Sequence, residues 1–140
     1  MAISFKIIRE HLVTSGTDLY TSVGERINTI GVDKTDENKP FIVMVRRGGG
    51  DSDRIPVTNP FVQFKVYSGT TSIKSEGYPV DEAMEVYEQL KDVLHNINMV
   101  ETDSGMIMHS FEQQQPQDLI EPDSKWPYVL AFYDIATRDK

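Results

Sequence analysis

The sequence predicts an α+β fold: a roughly four-stranded, mostly antiparallel sheet packed against one long and one short helix. Three observations predict it. Residues 79–97 carry an apolar stripe of helical period. Phe41–Val45 and Trp126–Ile135 are short apolar and aromatic runs of strand character. The predicted order is helix, strand, strand, helix, strand, strand, with no internal repeat and no interdomain linker, so residues 1–140 read as one domain.

The N-terminal helix comes first. Phe5, Ile8 and Leu12 fall on one face, Ser4 suits the N-cap, and Ser15-Gly16 breaks the pattern. Residues 16–39 are polar and turn-rich. They read as mostly loop, with a short strand near Glu25–Ile30, and a loop this long in a compact domain usually has a task. Pro40 opens the first clear strand, Phe41–Val45, whose continuous apolarity points to burial on both faces. Arg46-Arg47 and then Gly48-Gly49-Gly50-Asp51 follow. Phe61–Tyr67 is the next strand; Val62, Phe64 and Val66 face one way, and Phe61, Gln63, Lys65 and Tyr67 the other.

The long helix starts with Pro79 and places Asp81, Glu82 and Glu85 near the positive end of its dipole. Val80, Ala83, Met84, Tyr87, Leu90, Val93, Leu94 and Ile97 form its stripe. Lys91 and His95 suit its C-terminal end, and Asn96 or Asn98 can stop it. Met106–Phe111 is a third strand, Gln113–Gln117 a glutamine-rich loop, and Trp126–Ile135 the last strand.

Composition excludes several functions. The chain has 14 basic and 22 acidic residues, a net charge of -8, and no cysteine. Disulfides and thiolate zinc sites are therefore absent. The acidic balance disfavours broad phosphate-backbone binding. No apolar run approaches the ~20 residues of a membrane span. Charges inside MAISFKIIREHL break a signal-peptide pattern, so the chain is expected to stay in the cytoplasm of the cell that makes it.

Catalytic constellations do not stand out. His11, His95 and His109 lie on different predicted elements without metal-ligand spacing, and no HExxH or GxSxG is present. No metal or cofactor is expected. The triple glycine lacks the GxxxxGK[ST] spacing of a phosphate loop and leads to Asp51 and Asp53, which would repel phosphate. Two readings of it remain: a hairpin loop, or a loop that orders against a neighbouring subunit or nucleic acid, with Arg46 and Arg47 as contacts. Tyr67, Tyr87, Tyr128, Tyr133 and Trp126 lack the basic groove of a single-strand stacking platform, so core or interface packing is expected.

Four segments in order resemble the tail terminator (tail completion, or tail-to-head joining) proteins of long-tailed bacteriophages. An amphipathic helix precedes a variable loop. A proline-led strand ends in a basic pair and glycines, Pro40-Phe41-Ile42-Val43-Met44-Val45-Arg46-Arg47-Gly48-Gly49. A strand, Phe61–Tyr67, leads to a helix at 81–97. An aromatic strand from Trp126 runs on through Arg138. The resemblance spans about residues 5–138 and departs at 16–39 and 113–125.

The resemblance implies a small α/β sheet packed on helices and a structural role in the virion tail or neck. Such proteins form a ring, usually hexameric, that caps the tail tube, ends its polymerisation and docks to the head-side connector. A contractile tail adds a sheath contact, and DNA passes through the lumen. Head closure or a minor tail role are close variants. A small α+β ligand-binding module is the alternative of another class, and an enzyme finds no support in any motif.

A ring needs heterologous interfaces. Phe41, Val43, Val45, Tyr128, Leu130 and Phe132 supply more apolar surface than one long helix covers. Either a neighbouring subunit or the N-terminal helix is expected to cover the remainder. Arg46, Arg47, Gly48, Gly49, Gly50 and Asp51 form the expected intersubunit or ring-docking loop. Loops 16–39, 48–59 and 113–125 are the expected axial contacts.

Overall fold

The computed structural model describes residues 5–14, 16–29, 39–47, 61–69, 78–121 and 126–139. Its helices are α1 (Phe5–Leu12), α2 (Asp18–Val23) and α3 (Pro79–Leu94). Its strands are β1 (Ile27–Thr29), β2 (Phe41–Arg47), β3 (Phe61–Tyr67), β4 (Ile97–Glu101), β5 (Gly105–Glu112), β6 (Gln117–Ile120) and β7 (Pro127–Asp139).

The architecture is α+β, but the expectation of about four strands and two helices is overturned. The sheet has seven strands, six of them in the order β1-β2-β3-β7-β5-β4, with β6 paired to β7. It is mixed, because β1 runs parallel to β2 while every other described pair is antiparallel.

β7 organises the sheet. One of its edges pairs with β3 along Tyr128–Asp134. The other edge holds β5 along Tyr133–Asp139 and β6 along Pro127–Leu130. Its alternation is strict. Val129, Ala131, Tyr133 and Ile135 are buried under the helices, and Tyr128, Leu130, Phe132, Asp134 and Ala136 face the other way, half-buried. Both sets are apolar up to Tyr133, which is why the segment reads as one continuous run.

The three described helices join a single core on one face of the sheet. Ile7, Ile8 and Leu12 of α1, Leu19 and Val23 of α2, and Ala83, Val86, Tyr87, Leu90 and Leu94 of α3 pack with Ile42, Met44, Val62, Phe64 and Val66. α1 therefore does not cover the opposite face. That removes one of the two ways of covering the surplus apolar surface.

Four element boundaries differ from expectation for local reasons. Within the described residues 16–29, α2 stands where loop was expected, β1 falls in the short strand expected near Glu25–Ile30, and residues 30–38 lie outside the described residues. Thr17 caps α2, its Oγ1 accepting from the Tyr20 N–H at 3.1 Å, and Gly24 ends the helix at φ 55°. Six residues are too few to show a helical period. The long helix ends at Leu94, not Ile97, because Asn96 takes φ 60° and turns the chain into β4. Ile97 keeps the apolar period of the helix, which hides this strand. Gln117 belongs to β6, whose polar QDLI gives no strand signal yet pairs with β7. The last strand runs on to Asp139 and begins at Pro127, one residue later than expected.

Candidate functional site

The sheet face opposite the helices is built in rows fixed by register. Phe41, Tyr67 and Tyr128 form one row across β2, β3 and β7. Val43, Lys65 and Leu130 form the next, and Val45, Gln63 and Phe132 the third. The six residues expected at an interface, Phe41, Val43, Val45, Tyr128, Leu130 and Phe132, thus stand at the two outer positions of three adjacent rows. No described helix lies on this face.

One end of the face is a rigid aromatic cluster. Phe41 stacks on Tyr67 with ring centres 4.7 Å apart, Trp126 stands edge-on to Phe41 at 5.2 Å, and Tyr67 meets Tyr128 at 5.2 Å. The polar tips are tied down. Trp126 Nε1 donates to the Ser68 carbonyl at 2.9 Å, and the Tyr67 hydroxyl donates to Glu121. Burial, and then that carboxylate, push the Tyr67 hydroxyl well above the ordinary tyrosine range, so it stays neutral.

The middle of the face carries Lys65, its Nζ 5.6 Å from the centre of the Tyr128 ring. Toward the other end, Asp134 meets His109 at 2.9 Å, and the His109 ring stacks on Phe111 at 5.7 Å. Phe111 is 41% exposed, a large apolar side chain left to solvent.

Arg46 and Arg47 lie in the last two positions of β2, opposite Val62 and Phe61. Gly48, Gly49, Gly50 and Asp51, and the whole 48–59 segment, lie outside the described residues, as does the expected N-cap Ser4. Of the other expected axial loops, 16–29 contributes α2 and β1 to the folded body, and 113–121 contributes β6. Lys65, His109 and Phe111 belong to the face but were not among the residues expected at an interface; Tyr67 and Trp126 were expected in core or interface packing without a choice between them. The alternation of β3 already sets Lys65 and Tyr67 apart from the core residues Val62, Phe64 and Val66, and that was the available signal.

A second polar cluster lies under α3. The Tyr87 hydroxyl donates to Glu112 and sits 3.2 Å from the Tyr133 hydroxyl. Lys91 Nζ is 3.7 Å from the same carboxylate, and His95 Nδ1 accepts from the Glu112 N–H at 2.9 Å. Burial pushes the Tyr133 hydroxyl up to about 12 and that of Tyr87 higher still, the latter reinforced by Glu112. Both tyrosines are shut off from solvent, so the cluster anchors α3 to β5 and β7 and offers no path to a substrate. His11 donates from Nε2 to the Val93 carbonyl at 2.7 Å, tying α1 to α3.

An open cleft of about 310 Å³ lies where β4, β5 and β7 meet, lined by Met99, Glu101, Thr102, Met106, Arg138 and Asp139. Its walls mix both charge signs, so it selects no ligand class. Among the described residues no three His, Cys, Asp or Glu side chains gather as metal ligands, and no helix is long and apolar enough to cross a membrane. No protein-family model matches the chain, and no curated protein sequence matches it.

Proposed function

We propose that this chain is a structural virion protein that assembles into a ring, caps the phage tail tube, ends its polymerisation and joins the tail to the head-side connector. The observation that supports this most is a second apolar cluster, around Phe41, Val43 and Tyr67, on the sheet face opposite the described helices. Six apolar side chains occupy register rows on one side of the sheet, while the three described helices lie on the other. Val45, Tyr128, Leu130 and Phe132 stay half-buried there, and a subunit in a ring needs apolar surface to meet a different face of its neighbour. The order of segments resembling tail terminators supplies the biological setting.

Partners follow from that setting: other copies of the chain, the tube protein below, the connector above, and the sheath in a contractile tail. DNA crosses the lumen without being held, which suits an excess of eight negative charges per subunit.

Arg46 and Arg47 end the strand that carries Val43 and Val45, and guanidinium groups suit carboxylates of a neighbour. Replacing both with glutamate is expected to shift the purified protein from ring-sized to monomer-sized sedimentation, with its thermal midpoint little changed. An unchanged oligomer mass would count against the reading.

A further inference from the structure

Strands at the border of a sheet carry backbone groups that another strand can use, and most of the described border is closed against that. At β1 the carbonyls of Glu25 and Ile27 accept from Arg9 Nη2 and Nε at 2.9 Å. The Arg26 carbonyl, one residue between, accepts from Ile42 of β2, so Arg9 occupies the outer edge. At β4, Met99 takes φ 54° in mid-strand, which breaks the flat edge another strand would need. β5 runs on past the end of β4, and there the Glu112 N–H donates to His95 Nδ1 at 2.9 Å.

β6 is different. It pairs with β7 on one side, and no described strand lies on the other. The Glu121 N–H donates to the Trp126 carbonyl at 3.0 Å, so these two residues form a hydrogen-bonded pair. Such pairs alternate along an antiparallel ladder, which makes Leu119 with Tyr128 and Gln117 with Leu130 bonded pairs too. The N–H and C=O of Asp118 and Ile120 therefore point away from β7. Among the described residues they meet no partner. Pro127 agrees with this parity, because it stands opposite Ile120, where β6 needs no N–H from it. The side chains of Asp118 and Ile120 are exposed, Ile120 to 61%, so the edge is open to a strand.

We infer that β6 pairs antiparallel with β6 of a second copy, about a two-fold axis at Leu119. The register argues for this occupant, because the strand is its own complement. With Leu119 opposite the partner's Leu119, Asp118 stands opposite the partner's Ile120 and Ile120 opposite the partner's Asp118. Every outward N–H and C=O of these residues is then bonded, two leucines meet across the axis, and no like charges stand directly opposed. An axis at Asp118 instead would set aspartate against aspartate. It would also bring Pro116, which has no N–H, into the outward line. One short strand from each copy makes a weak contact that fills as concentration rises. The inference does not rest on the ring reading: a two-fold pair closes at two copies, whereas a ring joins unlike faces.

Amide hydrogen exchange on the wild-type chain tests the edge first. The Asp118 and Ile120 amides are expected to exchange about tenfold more slowly in concentrated than in dilute protein. Equal rates at both concentrations overturn the inference. The absence of cysteine allows a second test of the register. Leu119→Cys and Gln117→Cys are purified separately, oxidised at high concentration and read on a denaturing, non-reducing gel. Leu119 and its copy form a non-hydrogen-bonded pair with Cα atoms about 4.5 Å apart, within reach of a direct disulfide. Gln117 and its copy lie about 14 Å apart along the strands. A disulfide dimer from Leu119→Cys, forming about tenfold faster than any from Gln117→Cys, is expected. Equal rates mean random collision and overturn the inference, as does no dimer from Leu119→Cys.

Discussion

At Gly105 a Cβ atom would meet the Arg138 carbonyl oxygen at 2.2 Å and Ile7 Cδ1 at 2.7 Å. Only glycine lets β5 begin this close to both β7 and α1, and the backbone carbonyl cannot swing aside as a side chain end could. Gly105→Ala is expected to cost about 1–3 kcal/mol through overpacking, read as a lower denaturant midpoint; an unchanged midpoint would show that the contact relaxes freely. The next residue back, Ser104, is held from α1. Its N–H and Oγ donate to the Glu10 carboxylate at 2.9 and 2.5 Å, and the Ser104 hydroxyl bond holds that carboxyl below its ordinary range. None of this was legible in the sequence, because residues 94 positions apart leave no local pattern. Asn96 was legible as a stop for the helix. What it hid was the strand that follows, since Ile97 fits both the helical period and the strand.

Among elements, α3 was the most legible because sixteen residues give a full period, and β2 and β7 because their apolar runs are dense. β1 falls within the short strand expected near Glu25–Ile30, whereas α2, β4 and β6 are four to six residues long, and their signal lies in capping, pairing and one left-handed asparagine rather than in composition. The anchor between α3 and the sheet makes an alkaline prediction. Tyr87 and Tyr133 have folded pKa values raised above the ordinary 10, Tyr133 to about 12. In the unfolded chain they lose their protons near pH 10, while the fold keeps them protonated. Their contribution is therefore full below pH 10 and is lost as pH rises from there through about 12. Tyr67 adds to the same trend. Tyr87→Phe is expected to lower stability at pH 7 by about 1–3 kcal/mol, because the Glu112 carboxylate loses a buried donor. It should also make the alkaline fall in denaturant midpoint shallower. An equal fall in variant and wild type would show that Tyr87 ionises normally in the fold.

For the molecule as a whole, the sequence carried the contrast between a chain rich in apolar strands and one with a large acidic excess. The structure gives both a place. Apolar rows gather on the sheet face opposite the described helices, and Asp81, Glu85, Glu88 and Asp92 are exposed along α3. Which residues share the face was legible only in part: the two runs were visible, but their meeting through β3 depends on register, which sequence does not print. On the proposed six-membered ring, an excess of eight charges per subunit would become about 48. The central claim is that this ring ends tube growth and joins the tail to the head. Electron microscopy of tails made without this protein tests it most directly. Overlong tubes with no heads attached are the predicted result; tubes of normal length would contradict it.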